Sequence, residues 1–133
     1  MQTVLIIDDE AATLTMFRLF LNAYGYSVLT AENGVAALDA CRSQTETVDL
    51  VLTDVVMPEM SGPECVAKLQ RIYPNVGVVF MSGHAEPALD HRGVLEPGVA
   101  LVHKPFTAEE LAVRLRETLD SRSEAVPVSH PSP

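Results

Sequence analysis

Short apolar runs alternate along the chain with segments in which apolar residues recur every three or four positions. An apolar run bounded by polar or turn residues is typical of a buried strand, whereas the longer spacing is typical of an amphipathic helix. The alternation predicts five strands, at Thr3–Ile7, Ser27–Ala31, Asp49–Asp54, Val76–Ser82 and Val99–His103.

Start signals place helices after these strands. Asn33 opens the second helix, and the capping-box sequences "SGPE" and "TAEE" open the third and the last. The segment before the fifth strand is rich in proline and glycine, so only a short fourth helix is predicted, near Ala88–Leu95. The apolar stripe of the last helix consists of Leu111, Leu115 and Leu119.

Five strand–helix units in succession predict the α/β class, with a doubly wound parallel sheet covered by helices on both faces. The helical periodicity stops near Ser121. We therefore predict one domain over residues 1–121, followed by a flexible Ser/Pro tail or a truncated linker over residues 122–133.

Composition narrows the possible functions of the 133-residue chain. The formal net charge of -9 argues against a nucleic-acid-binding surface and suits a carboxylate site that attracts a cation. Cys41 and Cys65 lie in no CxxC or Cys/His cluster, so two reduced core residues are predicted rather than a zinc site. The sequence begins without a signal-peptide pattern and has no apolar run of membrane-spanning length, so a cytoplasmic location is expected.

Polar residues follow four of the predicted strands at their carboxyl ends, and these ends share one edge of a parallel sheet. Carboxylates about 4 Å apart repel by about 4 kcal/mol at an effective dielectric constant near 20, so a cluster needs cations. One lysine and a hard divalent ion such as Mg²⁺ would offset the charge, and such a carboxylate suits nucleophilic attack on a phosphoryl group. The residues concerned are Asp8, Asp9, Asp54, Ser82 and Lys104.

Each of these residues also has a simpler explanation. Asp8 and Asp9 could cap the first helix, Asp54 and Ser82 could be turn residues, and Lys104 could be a surface lysine. These explanations, taken singly, leave unexplained why all five residues lie at one edge of one sheet. The pattern as a whole favours an aspartyl-phosphate site.

Four motifs, "VLIIDDE", "DLVLTDVVMPEMSG", "VVFMSGHA" and "LVHKPF", occur in the order and spacing of one family. From Thr3 to Leu119 the sequence resembles the receiver domains of response regulators, the phosphoacceptors of two-component phosphorelays. The resemblance implies a flavodoxin-like (βα)5 fold with strand order 2-1-3-4-5. It also implies Mg²⁺-dependent transfer of a phosphoryl group from the phosphohistidine of a histidine kinase.

The resemblance also implies metal-binding residues. Asp9 would bind Mg²⁺ directly, Asp8 would bind it mainly through water, and Asp54 and the backbone carbonyl of Val56 would complete the protein ligands.

For the phosphoryl group, the resemblance implies that Asp54 is the acceptor and that Ser82 is the switch hydroxyl that moves onto it. Lys104 would pair with a phosphoryl oxygen, or with Asp54 before phosphorylation. A cis peptide bond is expected at Lys104-Pro105. Receivers usually have an aromatic residue three positions before the lysine, where this sequence has Leu101.

The implied protein is a signalling module and not an enzyme, apart from its own phosphorylation and dephosphorylation. Its partners would be a histidine kinase or a histidine phosphotransfer protein, together with an output partner on the face of helix 4, strand 5 and helix 5. Nucleic acid and membrane are not expected partners.

Three other identities can be compared with these motifs. The chain could be the receiver segment of a hybrid histidine kinase. An aspartyl-phosphate phosphatase would need a DxD motif after its first strand, where this chain has "DDE". A flavin carrier would need a hydroxyl- and glycine-rich loop at that point, and the acidic "DDEAAT" would repel phosphate.

Overall fold

The computed structural model describes residues 2–43, 47–57, 59–82 and 100–129, with side chains described as far as residue 121. It contains five strands: β1 (Thr3–Ile7), β2 (Ser27–Ala31), β3 (Leu50–Asp54), β4 (Gly77–Ser82) and β5 (Ala100–His103). The described helices are α1 (Ala11–Ala23), α2 (Gly34–Arg42), α3 (Gly62–Ile72) and α4 (Ala108–Ser129). The short helix predicted near Ala88–Leu95 lies outside the described residues, so α4 corresponds to the predicted fifth helix.

All strand pairs are parallel and form one sheet in the order β2-β1-β3-β4-β5. This order confirms the predicted doubly wound, flavodoxin-like arrangement. The order of the strands reverses between β1 and β3, and ligands of such sheets bind at the carboxyl ends beside this switch point.

Successive residues of the central strands point into two separate cores, one on each face of the sheet. Val4 and Ile6 of β1 pack with residues of α1 and α4, whereas Leu5 and Ile7 pack with residues of α2 and α3. These four side chains are completely buried. This is why the strands read as continuous apolar runs rather than as alternating ones.

The predicted capping residues begin three of the helices. Ser61 accepts a hydrogen bond from the backbone N–H of Glu64 at the start of α3. Asn33 accepts a hydrogen bond from the backbone N–H of Ala36 at the start of α2. The Thr107 hydroxyl accepts from the N–H of Glu110, and the Glu110 carboxylate accepts from the N–H of Thr107, which completes a capping box before α4.

The last helix continues further than its apolar stripe. Leu111, Leu115 and Leu119 are fully buried, but the α4 backbone remains helical to Ser129, eight residues beyond Ser121. Residues 122–126 contain neither proline nor glycine, so no residue there stops a helix. The division into a domain and a Ser/Pro tail therefore stays a prediction.

Within the described part of the chain, no helix has the length and apolar character needed to traverse a bilayer.

Candidate phosphoacceptor site

The register of the sheet brings the predicted site residues to one edge. Ile7 pairs with Thr53 across β1 and β3, so Asp8 and Asp54, one residue further along, leave the two strands at the same level. Across β4 and β5, Ser82 pairs with His103, the residue before Lys104.

Lys104 joins the carboxylates of two different strands. Its Nζ lies 2.8 Å from Oδ1 of Asp54 and 3.5 Å from Oδ2 of Asp8. The Asp8 side chain is 2% exposed and that of Asp54 is 13% exposed, whereas the lysine is 37% exposed. Both carboxylates are thus more buried than the lysine that pairs with them.

Asp8 has one satisfied carboxylate oxygen and one that is not. Oδ1 accepts a hydrogen bond of 2.9 Å from the backbone N–H of Glu10. Oδ2 is buried and accepts no hydrogen bond from the described residues; its 3.5 Å approach to Lys104 is an ion pair only. A buried oxygen in this state indicates a place for a cation or another donor.

The simpler explanation of Asp8 and Asp9 as helix caps does not hold. The N-cap of α1 is Glu10, which makes no side-chain capping hydrogen bond, and neither aspartate occupies that position.

Three carboxylates form a group that could hold a metal ion. Asp8, Asp9 and Asp54 each offer one oxygen, and the three oxygens lie within 4.8 Å of one another. An all-oxygen set of this kind suits a hard divalent cation. Asp9 is the exposed member of the three, so the cation would be reached from solvent.

The site environment changes two protonation equilibria. Burial raises the pKa of Asp54 to about 6; the hydrogen bond from Lys104 opposes this shift and the negative charge of Asp8 adds to it. Burial alone would lower the pKa of Lys104, but the hydrogen bond to Asp54 and the charges of Asp54 and Asp8 outweigh it, so that pKa is raised. Near neutral pH Asp54 is therefore largely ionised and Lys104 is charged, as a nucleophile and its neutralising partner must be.

The sequence model of the family described as "Response regulator receiver domain" matches residues 4–116. The chain belongs to the family of response regulator receiver domains. Receivers are signalling modules, and this one is a phosphoacceptor of two-component signal transduction.

Three similar proteins illustrate the range of this family. The sensor kinase CckA of Brucella abortus is 35% identical over 120 residues, which are 90% of this chain but 13% of that kinase. The response regulator receiver protein CpdR of the same organism is 30% identical over 90% of this chain and 98% of its own. A response regulator receiver domain protein from Clostridium thermocellum has a TM-score of 0.80 at 27% identity, covering 94% of this chain and 99% of its own. These relatives do not favour the phosphatase considered from the sequence.

Two further predicted site residues, Ser82 and Val56, stand at or just after the carboxyl ends of β4 and β3. Ser82 ends β4, is 4% exposed, and its carbonyl accepts a hydrogen bond of 2.8 Å from the N–H of Lys104. Val56 follows Asp54 by two residues, with its side chain 53% exposed. The peptide bond between Lys104 and Pro105 is cis, as expected.

Aromatic packing supports the loop that carries the lysine. The ring of Phe106, two residues after Lys104, stacks on Phe17 of α1 with centroids 5.9 Å apart and planes 10° from parallel. Leu101, which stands in place of the usual aromatic residue, is partly buried against the core on the α2 and α3 side.

Two residues next to Asp54 were not singled out from the sequence as functional. The Thr53 hydroxyl donates a 3.1 Å hydrogen bond to the carbonyl oxygen of Asp54. Gly62, assigned only to a capping box, packs against the same carbonyl. The sequence carries no signal that separates Gly62 from Gly34, because each is the first residue of a helix.

Proposed function

We propose that Asp54 is the phosphoacceptor of this receiver and that its donor is the phosphohistidine of a histidine kinase or histidine phosphotransfer protein. The observation that carries the assignment is the 2.8 Å pair between Asp54 and Lys104, set beside the buried Asp8 at the carboxyl edge of the sheet.

In the reaction, a carboxylate oxygen of Asp54 attacks the phosphorus atom. The new bond is P–O, the bond that breaks is P–N of the phosphohistidine, and the electron pair of that bond leaves with the imidazole, which takes up a proton. The Lys104 ammonium group exchanges its contact with the Asp54 carboxylate for a contact with a phosphoryl oxygen, and the Ser82 hydroxyl donates a hydrogen bond to another phosphoryl oxygen.

We propose Mg²⁺ as the metal, held by Asp8, Asp9, Asp54 and the carbonyl of Val56. The buried Oδ2 of Asp8, without a hydrogen-bond donor among the described residues, supports a cation at this point. When bound, the ion would offset the negative charge of the phosphoryl oxygens. In our proposal Asp9 is a direct ligand and Asp8 acts mainly through water.

Phosphorylation would be read at the face that includes β5 and α4, where an output partner would bind. Because Leu101 cannot supply a rotating ring, we propose that the signal leaves Ser82 without one. We further propose that the receiver acts in the cytoplasm, without nucleic acid or membrane as a partner, and that its chemistry is limited to its own phosphorylation and dephosphorylation.

Incubation with acetyl phosphate and Mg²⁺, followed by a phosphate-affinity gel, tests the acceptor. Wild type and the surface control Asp39→Asn should give a retarded band, whereas Asp54→Asn should not. A retarded band of equal intensity in Asp54→Asn would refute the assignment.

A further inference from the structure

Gly62 begins α3 and is packed directly against the backbone of the proposed phosphoacceptor. A Cβ atom at this position would overlap the carbonyl oxygen of Asp54. It would also lie 3.1 Å from the carbonyl carbon of Asp54 and 3.1 Å from Cα of Val55. All of these atoms belong to the backbone, so no side-chain rotation could relieve the overlap.

Hydrogen bonds fix the peptide groups on both sides of this contact. The N–H of Gly62 donates to the Val55 carbonyl at 2.8 Å, and the N–H of Val55 donates to the Met81 carbonyl of β4 at 3.0 Å. The Thr53 hydroxyl donates to the Asp54 carbonyl at 3.1 Å. The acceptor residue is therefore held between the sheet on one side and the first turn of α3 on the other.

A displacement of this backbone would be transmitted to the Asp54 carboxylate. The carboxyl carbon is only two bonds from the Cα atom, and its Oδ1 is already within hydrogen-bond distance of Nζ of Lys104, at 2.8 Å. Misplacement of a reacting group by about 1 Å can cost about 100-fold in rate.

We propose that Gly62 is a positioning residue for phosphoryl transfer: the missing Cβ sets the distance of Asp54 from Lys104 and from the metal-binding carboxylates. This inference rests on the proposed role of Asp54. It explains why the first turn of α3 carries a glycine, which weakens a helix relative to alanine.

The chain offers a matched control in Gly34. Gly34 is also buried and is also the first residue of its helix, α2. A Cβ at Gly34 would meet the Met60 sulfur at 2.8 Å, an atom of a flexible side chain that can move aside, and the Cβ atoms of Met60 and Cys65 at 3.3 and 3.4 Å, where a shift of a few tenths of an ångström is enough; none of these atoms belongs to β3. Gly34→Ala therefore adds the same methyl group to an equivalent helix position without displacing the acceptor strand.

The experiment compares Gly62→Ala, Gly34→Ala and wild type at a temperature at which circular dichroism shows all three folded. The first readout is the Mg²⁺ affinity, measured by isothermal titration calorimetry. The second is the rate of phosphorylation by acetyl phosphate. Gly62→Ala should lose about tenfold or more in both, since displaced ligands and reactants affect binding and rate together. Gly34→Ala should stay within about twofold of wild type.

A folded Gly62→Ala protein with Mg²⁺ affinity and rate within about twofold of wild type would overturn the inference. Failure of wild type to be phosphorylated would instead refute the acceptor role of Asp54, so the two failures can be told apart.

If Gly62→Ala does not fold, Thr53→Val tests whether the position of the Asp54 backbone controls Mg²⁺ binding and phosphorylation. This nearly isosteric change removes the hydroxyl that contacts the Asp54 carbonyl at 3.1 Å and the Met57 sulfur at 3.6 Å, and Thr53→Ser retains it. The inference predicts a lower Mg²⁺ affinity and rate in Thr53→Val but not in Thr53→Ser; wild-type values in both variants would contradict it.

Discussion

Nζ of Lys104 lies 2.8 Å from Oδ1 of Asp54, so the proposed acceptor carries its neutralising charge before any phosphoryl group arrives. The same lysine is 3.5 Å from the buried Asp8. One cation therefore serves at least two carboxylates, with Asp9 as a third within the same group. Without a divalent ion the site has more negative than positive charges, and this excess lowers the stability of the folded protein.

Asp54→Asn should stabilise the protein when divalent ions are removed. Burial raises the pKa of Asp54 from 3.8 to about 6, so the folded state favours the protonated form. The stability gained from this preference is present below the ordinary pKa and is lost as pH rises through about 6. At neutral pH the neutral amide avoids this loss, and we expect a gain of about 1 to 3 kcal/mol.

Urea denaturation in the presence of EDTA measures this gain, with Asp39→Asn as a control that removes an exposed carboxylate. Equal or lower stability of Asp54→Asn would show that the ionised Asp54 carboxylate does not destabilise the folded protein.

Mg²⁺ binding should depend more on Asp9 than on Asp8, because our proposal makes Asp9 a direct ligand and Asp8 a mainly water-mediated one. Loss of an outer partner typically costs about 10- to 100-fold in affinity, and loss of a direct ligand should cost more. Isothermal titration of Asp8→Ala, Asp9→Ala and the neighbouring control Glu10→Gln would measure the difference. Equal losses in the two aspartate variants would contradict the distinction.

Alkaline pH should destabilise the fold through Cys65. Burial raises the pKa of this thiol from 9.0 to about 11, with a smaller contribution from nearby Cys41. Because the folded pKa is raised, the thiol stabilises the fold below pH 9.0, and this stability is lost as pH rises towards about 11. The loss should amount to about 1 to 3 kcal/mol.

Urea denaturation under reducing conditions on either side of this range would detect the loss. Cys65→Ala should be less stable overall but should show a smaller decline with pH. Tyr73→Phe controls for the nearby phenol, whose pKa burial raises to about 12. An unchanged decline in Cys65→Ala would exclude the thiol as its source.

Gly25→Ala should destabilise the protein by backbone conformation alone. Gly25 has a φ of 94° after α1, and no atom lies within 4 Å of the position that a Cβ would take. The left-handed conformation costs an alanine about 1 kcal/mol, which thermal denaturation would detect. Glu59 has a φ of 71°, so Glu59→Gly should not destabilise, in contrast to Gly25→Ala. A neutral Gly25→Ala variant would disprove the argument.

The sheet and most of the site could be predicted because both depend on local patterns. Apolar runs that end in polar residues identify the strands, and the geometry of parallel sheets then brings Asp8, Asp54 and Lys104 together. The left-handed conformation of Glu59 and the contact of Gly62 with Asp54 could not be predicted in this way. The first depends on the path of the loop between β3 and α3 and the second on how closely α3 approaches β3, and the one-dimensional pattern contains neither.

Capping shows the same limit on a smaller scale. Sequence signals correctly placed Asn33 and Thr107 at helix starts, since each bonds to a backbone group three residues away. Asp8 is also a common capping residue, but its carboxylate instead accepts from Glu10 and faces Lys104. The role of Asp8 therefore depends on Lys104, which is 96 positions further along the chain and out of reach of a local sequence signal.

The N–H of Lys104, the residue after β5, donates a hydrogen bond to the carbonyl of Ser82 at the end of β4. Strand β4 in turn pairs with β3, which ends at Asp54. Adjacent strands lie about 4.8 Å apart, and the Lys104 side chain reaches past β4 to place its Nζ 2.8 Å from Oδ1 of Asp54 on β3. Only a compact group can reach all three residues without separating hydrogen-bonded strands, and whatever it is attached to must extend outwards into solvent. Donors as different in size as a kinase domain and acetyl phosphate would therefore present the same small group to the same three strands.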